Sequence, residues 1–174
     1  MNRENGMLYT SQVNHLIDLA IAEDIGSGDI TTCHLPNPCA RGRGEIVAKE
    51  PLVIAGLQIA RKIFEKFEPD VVFSSAFADG DTAGPGDVIA EVSGTMQTLL
   101  IGERVALNFL QRMSGVATNV RSYVSRLADT PVRLVDTRKT IPGWRVLDKY
   151  AVRWAALTTI GWASMTGADQ GQPH

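Results

Sequence analysis

The short apolar run from Val132 to Val135 ends abruptly in Asp136-Thr137-Arg138-Lys139-Thr140-Ile141-Pro142-Gly143. The run reads as a buried strand. The octet leaves it with an acid, a hydroxyl and two adjacent cations, then turns at Pro142-Gly143. Charged residues at the C-terminal end of a strand are poorly placed for a core and well placed for a ligand. Arginine offers a planar fork for carboxylate or phosphate, and lysine beside it a point charge. The pair points to an anionic ligand with more than one acidic group. Arg-Lys pairs are also common on solvated surfaces, so the residues alone leave both readings open.

Upstream, Ser11 is a plausible N-cap for a first helix. Val13, Leu16, Ile17, Ala20 and Ile21 form one apolar stripe on it, and Gly26-Ser27-Gly28-Asp29 ends it. Gly44 to Lys49 reads as a strand, and Pro51 demotes the residues after it to an edge or turn. Leu57, Ala60, Ile63, Phe64 and Phe67 mark a second amphipathic helix ending near Pro69. Val71 to Phe77 and Val88 to Val92 are β-rich and separated by Asp79-Gly80-Asp81 and Gly84-Pro85-Gly86-Asp87. A long helix is expected from about Met96 to Met113, and another from about Thr118 to Leu127. Residues up to Gly115 therefore mix helices with short strands, as in an α+β sandwich. The helix, strand, charged loop and helix after Gly115 match the first unit of a βα barrel.

Composition narrows the function classes. A net charge of −2 gives no reason to expect nucleic acid or an anionic membrane as partner. No apolar stretch is long enough to span a bilayer, and Met1 to Thr10 lacks the apolar centre of a secretory signal. Cys33 and Cys39 are expected to be reduced thiols, and the protein cytoplasmic. Gly80, Gly84 and Gly86 lie outside any strand–GxGxxG–helix context, which argues against a dinucleotide loop. His15 reads as an exposed helical residue. His34 lies in a loop with no nameable carboxylate partner. Glu23 and Asp24 read as a helix-end charge pair.

The octet from Asp136 to Gly143 closely resembles the substrate loop of quinolinate phosphoribosyltransferase, also called nicotinate-nucleotide pyrophosphorylase (carboxylating). The similarity continues through Trp144-Arg145-Val146-Leu147-Asp148-Lys149-Tyr150-Ala151-Val152, which looks like the family's next helix. The stretch from Glu103 to Thr118 resembles its domain-joining helix, and Ala22 to Thr32 its N-terminal signature. The match is colinear from about Leu16 to Arg153. It implies an N-terminal α/β sandwich over residues 1–115 and the start of a C-terminal α/β barrel over 116–153, with the barrel incomplete. It also implies a homodimer in which one subunit's sandwich covers its partner's barrel mouth.

From the residues alone, Arg104 is a surface arginine whose stem lies along its helix. The resemblance implies that it reaches across the dimer to the substrate carboxylates. By the same resemblance, Arg138 and Lys139 bind substrate with Thr137 beside them. The implied reaction belongs to de novo NAD biosynthesis. It joins quinolinate to phosphoribosyl pyrophosphate, with Mg2+ on the phosphates, and releases pyrophosphate and carbon dioxide. Positioning and cationic stabilisation account for most of such catalysis. No covalent nucleophile, protein metal site or complete catalytic set is read in the chain. Two alternatives stay open: a paralogous phosphoribosyltransferase-like protein of a molybdenum locus, which the full octet disfavours, and a non-catalytic dimerisation fragment that binds a full-length partner.

The resemblance stops after Arg153. The family continues with a glycine-rich turn, Asn-His-Arg and then Leu-Ile-Lys-Asp-Asn-His, whereas this chain runs from Trp154 through Gly161-Trp162 to His174. Degenerate codons for residues 154–174, read from the third base of the Trp154 codon, permit Gly-Gly-Ala-Asx-Asn-His-Arg. A second shift at Gly167 permits Leu-Ile-Lys-Asp-Asn-His. The expectation is an out-of-frame tail produced by two single-base losses, and a 174-residue chain inactive by itself. Sequencing the DNA around codons 154 and 167 checks this. One restored base near each should open a continuous barrel reading; no Asn-His-Arg in the shifted frame would refute it.

Overall fold

The computed structural model describes residues 8, 10–26 and 37–156. Helix α1 (Ser11–Ile25) is capped by Thr10, not Ser11. The Thr10 hydroxyl accepts the Val13 N–H at 3.3 Å from an extended backbone, the usual N-cap geometry. Val13 and Ile17 of the predicted stripe are buried, with Leu16, Ala20 and Ile21 packed beside them. Gly26 ends the helix, its N–H donating to the Ala22 carbonyl. The remainder of the expected cap, Ser27 to Asp29, lies outside the described residues, as do Cys33, His34 and residues 157–174.

Strand β1 (Arg41–Val47) starts earlier than its apolar residues suggest, because it pairs antiparallel along β5 (Val88–Thr95) from Arg41 opposite Thr95. Strand β3 (Val72–Ser74) pairs with the other edge of β5, giving a sheet of order β1-β5-β3. A second ribbon joins β2 (Leu52–Val53) to β4 (Thr82–Ala83). Helix α2 (Leu57–Phe67) follows the predicted stripe, burying Leu57, Ala60, Ile63 and Phe64. Phe64 and Phe73 meet at 6.3 Å between centroids, so α2 covers the β3 side of the sheet. This is the mixed helix-and-strand sandwich expected of the first part of the chain.

Helix α3 (Met96–Arg126) corrects the expectation of two helices separated at Gly115. A glycine inside a helix costs only about 1 kcal/mol relative to alanine. Continuity buries Val105, Ala106, Phe109, Leu110 and Met113 before Gly115, and Ala117 and Val124 after it. Hydroxyls on this helix also satisfy the neighbouring ribbon. Thr118 Oγ1 accepts the Val53 N–H at 2.8 Å, and Ser114 Oγ accepts the Ala55 N–H at 3.1 Å. A two-residue strand has few ladder bonds; Thr118 satisfies an N–H within it and Ser114 one just beyond it.

Helix α4 (Arg145–Ala156) packs on α3 through Leu147, Tyr150, Ala151 and Ala155, all buried. The expected strand at Val132 to Val135 is absent. Val132 is 57% and Val135 74% exposed, and the segment forms no ladder. A barrel strand is stable only between neighbours that pair with its backbone and cover its faces. Among the described residues no such neighbour exists, and Arg133 within the run stays exposed. The barrel unit is therefore represented by its helices and loop, without its sheet.

The contact between α2 and α3 depends on Gly102. A Cβ there would lie 2.6 Å from Phe64 Cδ1, a ring held in the core. Gly102→Val is expected to lose about 2–3 kcal/mol through overpacking. Denaturant titration by circular dichroism measures this, with Gly115→Ala as the control, since nothing lies within 4 Å of a Cβ at Gly115.

Candidate functional site

The loop between α3 and α4 carries the cations singled out in the sequence. Thr137, Arg138 and Lys139 are all exposed. The loop is folded locally: Lys139 N–H donates to Thr137 Oγ1 and Thr140 N–H to the Arg138 carbonyl, each at 3.0 Å. Gly143 adopts φ +84°, a conformation costly for other residues, and lets the chain turn into α4. Among the described residues, neither the Arg138 guanidinium nor the Lys139 ammonium has a hydrogen-bond or ion-pair partner. Two adjacent charges left free on an ordered turn can bind an anion without first breaking a protein contact.

Arg104 lies elsewhere. It projects from α3 with its side chain 70% exposed, and Nη1 meets Asp24 Oδ1 of α1 at 3.1 Å. No hydrogen bond or ion pair joins it to Thr137, Arg138 or Lys139 among the described residues. Within one chain, Thr137, Arg138 and Lys139 share one loop as sequence neighbours, and Arg104 is paired with Asp24 on α1. The Glu23-Asp24 pair divides: Asp24 is engaged by Arg104, and Glu23 is exposed.

Several contacts that hold the loop were not read from the sequence. Asp136 is ion-paired with Lys149 of α4. Asp148 pairs with Arg112 of α3 at 3.1 Å, and the Arg112 guanidinium lies 4.9 Å from the centre of the Trp144 ring. Trp144 stacks on Phe109 at 4.8 Å. Tyr150 donates its hydroxyl to Asp79 Oδ2 at 2.6 Å, while Asp79 Oδ1 accepts the Gly56 and Leu57 N–H groups that open α2. Arg121 donates to the Trp154 and Ala155 carbonyls, satisfying the last turn of α4. The available signal was the polar triplet Asp148-Lys149-Tyr150 within a helix otherwise packed through apolar residues.

Among the described residues, no group of three His, Cys, Asp or Glu side chains could hold a metal ion. No described helix is long and apolar enough to cross a membrane.

Comparison with known proteins bears directly on this arrangement. Residues 29–114 match the quinolinate phosphoribosyl transferase N-terminal domain, and residues 116–159 match the C-terminal domain of the same family. A probable nicotinate-nucleotide pyrophosphorylase (carboxylating) of Synechocystis is 48% identical over 133 residues, which are 76% of this chain and 45% of that protein. Its Bacillus subtilis counterpart is 42% identical over 144 residues, 82% of this chain and 49% of that one. The crystal structure of NadC from Streptococcus pyogenes superposes with a TM-score of 0.78 at 38% identity, over 83% of this chain and 52% of that one. The chain belongs to the quinolinate phosphoribosyltransferase family, a family of pentosyltransferases. It spans about half the length of the relatives it matches.

Asp79 gives a pH-dependent test of how α4 is held. Burial pushes its carboxyl above the usual range, against hydrogen bonds from Tyr150, Leu57 and Gly56 that favour the charged form. Its contribution to stability is complete below the unfolded carboxyl's pKa and is lost as pH rises through the raised folded value. Asp79→Asn should flatten this part of the stability–pH profile. Asp79→Ala removes the acceptor of two backbone N–H groups and of the Tyr150 hydroxyl and should cost about 3 kcal/mol at neutral pH. Urea titrations of both variants across acid to neutral pH supply the check.

Proposed function

We propose that this chain is the N-terminal half of a cytoplasmic quinolinate phosphoribosyltransferase, with Thr137, Arg138 and Lys139 forming part of its substrate site. The supporting observation is the folded loop with two adjacent cations unpaired among the described residues, in a chain whose relatives are named nicotinate-nucleotide pyrophosphorylases. The substrate class follows from the charges. Quinolinate is a pyridine dicarboxylate and phosphoribosyl pyrophosphate is polyanionic, so each needs cations in fixed positions.

In the proposed reaction the pyridine nitrogen bonds to C1 of the ribose as the bond from C1 to pyrophosphate breaks. The ring carbon then loses its carboxylate as carbon dioxide, takes up a proton and leaves nicotinate mononucleotide. Arg138 would hold carboxylate oxygens, Lys139 would balance the second anionic group, and Thr137 would shape the turn that presents both. Arg104, exposed on α3 and paired with Asp24, would serve the site of a second copy in a homodimer. The described residues offer no carboxylate set for Mg2+, and Asp136 is already paired with Lys149. The ion would therefore be held by the phosphates of the substrate, and none of these roles depends on it.

The described residues contain the loop but no barrel sheet. The 174-residue chain is therefore expected to bind quinolinate without releasing pyrophosphate or carbon dioxide. Calorimetric titration and a pyrophosphate-release assay measure the two parts. Arg138→Ala should reduce binding by roughly 30-fold or more, the loss of about 2 kcal/mol from a charge-assisted contact. Arg138→Lys should also weaken it, because a point charge cannot reproduce a bidentate contact. Quinolinate binding unaffected by Arg138→Ala would refute the assignment, and turnover at the rate of an intact relative would refute the expected inactivity of the chain.

A further inference from the structure

We infer that Asp136 and Lys149 form a positioning pair that aims Arg138 and Lys139 at their ligand and keeps the Asp136 carboxylate from competing for them. The inference rests on the proposed role of the loop as an anion site. Asp136 immediately precedes Thr137-Arg138-Lys139, yet its side chain is only 15% exposed and faces Lys149, itself 27% exposed. A partly buried ion pair is weak evidence for stability, because desolvation offsets much of the attraction. Its geometric consequence is clearer: one end of the loop is anchored to α4 at a fixed point.

The rest of α4 makes that point rigid. Asp148, Lys149 and Tyr150 are consecutive, and each is tied to a different part of the molecule. Asp148 meets Arg112 on α3, Tyr150 meets Asp79 in the turn before β4, and Lys149 meets the loop. The far end of the loop is held by Trp144, whose ring meets both Phe109 and the Arg112 guanidinium. The chain from Asp136 to Trp144 is thus clamped at both ends, and the two cations, unpaired among the described residues, lie between the clamps. A binding segment ordered beforehand loses less conformational entropy when the ligand arrives.

The pair has a second effect that makes it testable. Asp136 lies two residues from Arg138 and three from Lys139. With Lys149 neutralised, its carboxylate would be free to turn toward those cations as an internal anion. Lys149→Met should therefore do two kinds of harm, releasing the clamp and freeing a competitor. Asp136→Asn should only release the clamp. A purely structural pair predicts equal effects from either side.

The experiment uses the full 174-residue chain with quinolinate as the probe. Binding is measured by calorimetric titration, and amide hydrogen exchange at Lys139 and Thr140 by NMR. Lys149→Met should weaken binding about tenfold, Asp136→Asn about threefold, and the double variant should resemble Asp136→Asn, the non-additivity expected of directly coupled side chains. Lys149→Arg should bind within about twofold of the parent, since it keeps the charge. Exchange at Lys139 and Thr140 should accelerate in both single variants while the amides of α3 are unchanged. Equal losses from the two single variants, or additive losses in the double, would overturn the competitor role. Unchanged exchange at Lys139 and Thr140 would overturn the clamp. If Arg138→Ala leaves quinolinate binding intact, or the parent chain binds none, the anion-site reading fails instead, and the exchange data still decide whether the pair holds the loop. If a single variant unfolds, Lys149→Arg and the double variant carry the comparison.

Discussion

A single continuous helix, α3, organises the described structure. Its first half closes against α2 at Gly102, where the Phe64 ring occupies the space a side chain would need. Its middle supplies Thr118 to β2 and Ser114 to Ala55 just after that strand. Its second half receives α4, with Arg121 bonded to the last carbonyls of that helix. The sandwich and the beginning of the barrel are therefore built on the same rod. The continuity of the helix through Gly115, where two helices were expected, is what allows one rod to serve both.

This shared rod explains how the loop is held although no strand immediately precedes it among the described residues. A parallel strand depends on neighbours for its hydrogen bonds and for cover on its faces. Val132 and Val135 have neither among the described residues and are exposed. The loop does not depend on the strand for its anchors. Asp136 is held from α4, and Trp144 by Phe109 and Arg112 of α3. The cations Arg138 and Lys139 are thus presented by helix packing and a local turn.

The elements legible in the sequence were those specified by local periodicity. The stripe from Leu57 to Phe67 gave α2 with its full extent, because a 3.6-residue repeat of large apolar side chains has few other solutions. The start of α1 was misplaced by one residue, since Thr10 and Ser11 are both good caps and only the backbone angle separates them. Gly115 was misread as a break, because propensity is weaker than the burial gained on either side of it. The run from Val132 to Val135 misled for the opposite reason: its apolar content describes a site that the described residues do not complete. Long-range ties were invisible. Nothing local to Asp79 indicates that Tyr150 will bond to it, or local to Asp24 that Arg104 will pair with it. The charged turn itself was legible, because two adjacent cations after an apolar run have little use in a core.

The central claim is that α3 joins the two parts into one cooperative unit. Native-state hydrogen exchange across α3 and α4 tests it most directly, since amides that open together share one opening free energy. The buried amides from Val105 to Val124 and from Leu147 to Ala155 should then report a common value, close to that of global unfolding. Residues 116–126 and α4 opening together at a much lower free energy, while residues 96–115 stay protected, would show two independent parts and contradict the account.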